Sequence, residues 1–150
     1  MYQSTKTYGH DIGLSCAFRQ WGASSHCSKI HGYSMAFKFI FEAKELDNKN
    51  WVIDFGGLKG LKKSLESYFD HTMLVAKDDP KKEVLLDLDR IHGVANIVLV
   101  ESTGCEAMAK MAYDLALEWL RYAGHSNRVR LISVEASEHG SNSALFLGNL

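Results

Sequence analysis

Ser34-Met35-Ala36-Phe37-Lys38-Phe39-Ile40-Phe41-Glu42 is the stretch on which the fold turns. Met35, Phe37, Phe39 and Phe41 share one side of an extended chain, with Ser34, Lys38 and Glu42 among the residues opposite. A period of two marks a strand with one face on a core and the other towards water. Upstream, His10–Arg19 repeats the pattern: Ile12, Leu14, Cys16 and Phe18 alternate with Asp11, Gly13, Ser15 and Arg19. Polar Gly22–Lys29 separates the two, and Leu46–Asn50, rich in Asp and Asn, reads as a turn.

From Asp54 the period changes. Phe55, Leu58, Leu61 or Lys62, Leu65 and Tyr68 or Phe69 recur at three and four, which predicts an amphipathic helix with Asp54 as N-cap. Val84, Leu85, Leu88 and Ile91 predict a short helix after a turn at Asp78–Pro80, and β-branched Ala95–Glu101 a short strand. Thr103-Gly104-Cys105-Glu106 fits a capping box, and Met108, Met111, Leu115 and Trp119 mark one stripe of a long helix ending near Gly124. Arg128–Ala136 and Ser143–Leu147 read as closing strands. The order strand-strand, helices, strand-strand predicts an α+β fold: a small antiparallel sheet with helices on one face.

Composition narrows the function. The 150 residues are 46% hydrophobic and 23% charged, a globular balance, and no linker, repeat or low-complexity tract divides them. One domain over residues 1–150 is the expectation. Lys+Arg 17 against Asp+Glu 18 gives a net charge of -1, with no global attraction for nucleic acid or an anionic membrane. Three cysteines at irregular spacing argue against a disulfide framework and for a reducing, cytoplasmic setting. No apolar run approaches a membrane span, and the first residues lack the form of a signal peptide. Seven histidines are the feature that invites chemistry.

Reactive side chains are densest in His26-Cys27-Ser28-Lys29-Ile30-His31-Gly32-Tyr33. Cys27, beside a lysine and two imidazoles, reads either as an activated thiolate or as a half-buried cysteine between surface histidines. Asp70-His71 reads either as an oriented acid/base pair or as charge complementing a helix C-terminus. Glu135, inside apolar Ile132–Ala136, either lies on a solvated sheet face or grips paired N–H donors of a ligand. Glu138-His139 reads as the turn beyond it, and His92 and His125 as surface residues.

The order of these sites resembles the 6-pyruvoyl-tetrahydropterin synthase and 6-carboxytetrahydropterin synthase family. Cys27-Ser28-Lys29-Ile30-His31-Gly32-Tyr33 is similar to its C-x-x-x-H-G-H-x-y motif, and Trp51–Lys59 to its g-m-v-i-D-f-x-x-L-k stretch. Asp70–Leu74 resembles its l-D-H-x-x-L, Thr103–Glu106 its p-T-s-E and Ser133-Val134-Glu135 its v-x-E strand, with about Ala76–Val100 looking like an insertion. The resemblance implies a tunnelling fold, with a four-stranded antiparallel sheet and helices on one side. It also implies homo-oligomers (trimers or hexamers) with sites at subunit boundaries. The implied substrate is 7,8-dihydroneopterin triphosphate. One branch eliminates triphosphate. The other yields 6-carboxytetrahydropterin and acetaldehyde for 7-deazaguanine, queuosine-type biosynthesis, and is the expected function of this chain. The resemblance assigns Cys27 as base, Asp70 and His71 as its acid/base partners, and Glu135 as the anchor of the pterin's N–H donors.

It further implies zinc held by three histidines, and here the chain departs from the pattern. Phe18 and Tyr33 occupy two of the three histidine places, and His31 the other. Phenylalanine offers no donor atom. Three explanations stand: a rearranged zinc site of His31 with His10 and His26, a metal-free enzyme on a related pterin, or a catalytically silent pterin- or purine-binding relative.

Overall fold

The computed structural model describes residues 1–149. Its strands are β1 (Tyr2–Tyr8), β2 (Leu14–Phe18), β3 (His31–Ala43), β4 (Thr72–Ala76), β5 (Ile97–Val100), β6 (Arg130–His139) and β7 (Asn142–Leu147). Its helices are α1 (Lys59–Phe69), α2 (Lys82–Arg90) and α3 (Cys105–Tyr122). The stretch quoted first lies within β3, and the side chains of Met35, Phe37, Phe39 and Phe41 are fully buried, as their spacing requires.

The sheet has seven strands, not four, and it is mixed rather than antiparallel. Its order is β5-β4-β2-β3-β6-β7, with β1 also paired to β3. The expected strand His10–Arg19 is broken: His10–Ile12 form a 3-10 turn, and Gly13 at φ 81 redirects the chain into β2. β1 and β2 then share one edge of β3, at Phe37–Ala43 and His31–Met35 respectively, while β6 takes Ala36–Glu42. β1 carries no apolar alternation, since of its residues only Tyr8 is buried. β4 and β5 extend the sheet in parallel beyond β2. All five residues of β4 are buried, so its sequence is a short continuous apolar run with no period to read.

Helices cover both faces, which corrects the one-sided expectation. Leu58, Leu61, Leu65 and Phe69 of the α1 stretch join the Phe37–Phe39–Phe41 core, with the Phe37 and Phe69 rings 4.7 Å apart. Asp54 caps the 3-10 turn leading into α1, its Oδ1 accepting from the Gly56 N–H at 2.9 Å. α3 packs on the same face through Cys105, Met108, Ala109, Ala112, Ala116 and Leu120, one step round from the expected stripe. Alanines let the helix approach the sheet closely, and Met111, Leu115 and Trp119 fill its flank. α2 lies on the opposite face, where Leu85 packs with Met73 and Val75 of β4.

The capping box does not form. Gly104 is the N-cap of α3 at φ 106, and Thr103 instead donates its hydroxyl to the Arg19 carbonyl at 2.7 Å. Among the described residues no helix is long and apolar enough to cross a membrane.

Gly32 lets β2 lie close against β3, because a Cβ there would sit 2.7 Å from the Cys16 carbonyl oxygen and 3.2 Å from the Ala17 Cα. Gly32→Ala is therefore expected to lower the unfolding free energy by about 1–3 kcal/mol through overpacking. An unchanged urea midpoint would show that β2 yields instead.

Candidate active site

β3 extends beyond its pairing with β6, and at that end several reactive side chains gather. Phe18 of β2 lies opposite His31 of β3, and Tyr33 follows on the same face. The ring centres are 4.9 Å apart for Phe18–His31, 5.5 Å for His31–Tyr33 and 6.1 Å for Phe18–Tyr33. His139, at the end of β6, adds a fourth ring 6.1 Å from Tyr33. The His31 Nδ1 lies 2.7 Å from the Lys29 carbonyl, to which only a protonated nitrogen can donate. That bond fixes the neutral tautomer and leaves Nε2 as an acceptor.

Cys27 sits in a 3-10 turn, His26–Ser28, capped by Ser25, and is half-buried. Its carbonyl accepts from the Gln20 N–H at 2.9 Å, and Arg19 donates to the neighbouring Ser28 carbonyl at 3.0 Å. Arg19 in turn grips Asp79 with two bonds of 2.8 and 2.7 Å. The Asp79 side chain is only 2% exposed, so the turn after β4 is a buried brace for the Cys27 loop. The other thiols are enclosed: burial pushes Cys16 up to about 11, and burial and then the Glu138 charge push Cys105 up to about 11. Cys27 alone of the three is open to solvent.

Glu138 is the residue that sequence reasoning passed over. A bulge between Ser137 and His139 interrupts the alternation of β6 just before the hairpin. Burial, and then the charges of Glu138, Cys27 and Cys105, raise the Tyr33 phenol above its ordinary range. The Glu138 charge thus acts on both Tyr33 and Cys105. The available signal was its place at the end of a strand facing the Cys27 motif, but bulges leave no mark in a hydrophobic period.

Glu135 lies elsewhere. Its neighbours Val134 and Ala136 point into the core, so it stands on the other face, opposite Lys38 and Leu145. Its carboxylate accepts from the Ser143 hydroxyl at 3.2 Å.

Asp70 and His71 form a third group at the junction of α1 and β4. His71 adopts φ 56, which turns its ring back so that Nδ1 donates to Asp70 Oδ1 at 2.6 Å. The imidazole side chain is 86% exposed, leaving Nε2 free. The two adjacent residues thus act on each other, as the acid/base-pair reading expects. Among the described residues no hydrogen bond or ion pair links this pair to Cys27.

A family model described as 6-pyruvoyl tetrahydropterin synthase matches residues 10–149. The chain belongs to the 6-pyruvoyl tetrahydropterin synthase family. It is 26% identical over 145 residues to a 6-carboxy-5,6,7,8-tetrahydropterin synthase of Aquifex aeolicus, covering 96% of this chain and 87% of that protein. A namesake from Rickettsia typhi is 30% identical over 83 residues, or 55% of this chain and 59% of its own. The fold matches an uncharacterized protein of Wolinella succinogenes with a TM-score of 0.80 at 21% identity, covering 99% of this chain and 98% of the other. It matches the 6-pyruvoyltetrahydropterin synthase of Plasmodium vivax with a TM-score of 0.70 at 14% identity, over 100% of both chains.

The zinc that the family resemblance implies does not fit the donors at the Phe18–His31–Tyr33 position, which are one imidazole and one phenol. His10 is held through Nδ1 to the Ser34 carbonyl at 2.5 Å, and His26 is exposed on the Cys27 turn. Among the described residues no three His, Cys, Asp or Glu side chains are grouped to hold a metal ion. A cavity of about 630 Å³ lies at the far end of β3, lined by Glu42, Leu46, Arg128 and Arg130 among others. Its arginines are engaged, Arg130 with Glu42 and Arg128 with the Glu45 and Val52 carbonyls.

The Arg19 guanidinium holds the Asp79 carboxyl below its usual range. Its contribution to stability is complete above the unfolded value of about 3.9 and is lost as pH falls through the folded one. Asp79→Asn should cost about 1.5–3 kcal/mol at neutral pH, the range for a bond to a charged partner. The acid limb of its stability-against-pH curve should be shallower than that of the parent. An equal slope in urea unfolding below about pH 4, where the unfolded carboxyl takes up its proton and the folded one still resists, would remove Asp79 from the acid transition.

Proposed function

We propose that this chain is a 6-carboxytetrahydropterin synthase-like lyase acting on 7,8-dihydroneopterin triphosphate, within 7-deazaguanine, queuosine-type biosynthesis. The observation that carries the reading is the Asp70–His71 pair. It holds an exposed imidazole by a 2.6 Å bond in a left-handed conformation that L-residues rarely adopt. Packing alone gives no reason for such a device, whereas proton transfer needs an oriented ring with one free nitrogen. The curated relatives named above favour the carboxytetrahydropterin branch over triphosphate elimination.

In this reading residues 1–150 act as one catalytic domain, and Cys27 takes a proton from a hydroxyl-bearing carbon of the substrate side chain. His71, steadied by Asp70, moves the proton on. The lack of a bond linking the two groups within a chain supports association into trimers or hexamers, where one subunit's pair would meet its neighbour's Cys27. Two carboxylates are available to the pterin's N–H donors. Glu135 serves if a neighbour closes over the outer face, and Glu138 serves from within the Tyr33 cluster. The shared surroundings of Glu138, Tyr33 and Cys27 favour Glu138.

Incubation with 7,8-dihydroneopterin triphosphate and chromatography of the products should give 6-carboxytetrahydropterin and acetaldehyde. Cys27→Ala and His71→Ala should each lower kcat by at least about 100-fold, in keeping with general acid–base catalysis. Pterin bound tightly with no turnover would identify a silent binding relative. Glu138→Gln should weaken pterin binding by about 1–3 kcal/mol. The opposite ranking, with Glu135→Gln the weaker binder, would return the anchor to the outer face.

A further inference from the structure

We propose that the strand end carrying Phe18, His31 and Tyr33 takes ligand hydroxyl groups directly, His31 accepting and Tyr33 donating hydrogen bonds, and holds no zinc. The proposal rests on the lyase reading only for the identity of the ligand, the hydroxylated side chain of a pterin.

The argument starts from geometry. Three imidazoles on one tetrahedral zinc, with Zn–N near 2.0–2.1 Å, place their ring centres about 5 Å apart. Phe18, His31 and Tyr33 stand 4.9, 5.5 and 6.1 Å apart, so the spacing of such a site is present. The backbone explains why. Phe18 and His31 are directly paired, Tyr33 is two residues along on the same face, and Gly32 lets β2 lie close against β3. What has changed is the donor chemistry. Phe18, 1% exposed, presents only carbon, which leaves two donor side chains where zinc sites use three or four.

The groups that remain form a complementary hydrogen-bonding pair. With Nδ1 committed to Lys29, the neutral His31 ring can only accept through Nε2, and a tyrosine hydroxyl both donates and accepts. Hydroxyl groups of a polyol match that pair. The Phe18 ring supplies an apolar wall for the intervening carbons. Such a site would orient the side chain through hydrogen bonds instead of through a metal.

Zinc content and ligand binding test the two halves separately. Protein prepared without a histidine tag or chelator should carry far less than one zinc per chain by elemental analysis. Added zinc should leave its Tm unchanged. Restoring two imidazoles in the double variant Phe18→His/Tyr33→His should raise zinc affinity at least about 100-fold, to one ion per chain, because the third ligand completes a tetrahedral set. Zinc should also raise the Tm of that variant, since it binds only the folded state. A histidine at buried position 18 costs stability, so circular dichroism checks its folding and Tyr33→His alone is measured beside it. The single variant should gain about tenfold in zinc affinity from its added ligand.

Stoichiometric zinc in the parent, abolished by His31→Ala, would overturn the proposal. So would a folded double variant that gains no zinc affinity, or, should that variant fail to fold, an unimproved Tyr33→His. For the ligand half, His31→Ala should weaken neopterin about tenfold, one hydrogen bond's worth, and leave 6-unsubstituted pterin within about twofold. Equal effects on both pterins would overturn the hydroxyl assignment. A protein that turns over dihydroneopterin triphosphate yet carries His31-dependent zinc keeps the lyase reading and loses this one. A protein that binds neither pterin loses the lyase reading and the hydroxyl assignment, and the zinc measurements still decide the metal.

Discussion

The site depends on the way β3 is hydrogen-bonded along its length. One edge is taken by β2 and then β1, and the other by β6 only from Ala36 onward. An unpaired strand edge needs other cover, and over His31–Met35 β3 therefore meets loops and side chains rather than a strand on its β6 side. The Cys27 turn, the end of β6 with Glu138 and His139, and the start of α3 collect around it. Removing the core alternation of Met35, Phe37, Phe39 and Phe41 would unseat all of them together, because each is placed relative to that backbone.

A second layer of support comes from the segment that looks like an insertion. Its first turn contributes Asp79, and its helix and strand bury Met73, Val75 and Leu85 on the far face of the sheet. Far from hanging at the surface, this segment closes one side of β4 and braces Arg19, which in turn holds the carbonyl of Ser28 beside Cys27. Rigid support of this kind is what keeps a loop-borne thiol in one position.

Cys27 and the Asp70–His71 pair share no hydrogen bond or ion pair among the described residues. Cys27 is held by the Gln20 and Arg19 contacts, whereas Asp70–His71 is held by the left-handed turn leaving α1. Both arrangements are complete in themselves, and neither relies on the other for its geometry. The aromatic cluster between β2 and β3 has ring spacings of 4.9, 5.5 and 6.1 Å, set by strand register, which does not depend on any ligand.

Much was legible in the sequence where a period existed. β3, α1 and the α+β order follow from apolar spacing, and the Cys27 and Asp70–His71 motifs from residue order, since local periodicity reflects which face of an element must leave water. β1 and β4 were not legible, because one is a polar edge and the other is buried on both faces, so neither alternates. The stripe of α3 was misplaced by one step because alanines, not the larger methionines and leucines, meet the sheet. Three residues apart, Glu135 and Glu138 already fall on opposite faces by alternation; only the tertiary structure shows the bulge beside Glu138 and the action of its charge on Tyr33, because a bulge leaves no mark in the order of residues. The sequence by itself determined the order of the motifs, and through their family resemblance the expectation that Phe18 and Tyr33 stand where imidazoles would be. Tertiary structure alone decided that these rings still cluster about His31, since that depends on strand pairing between distant segments.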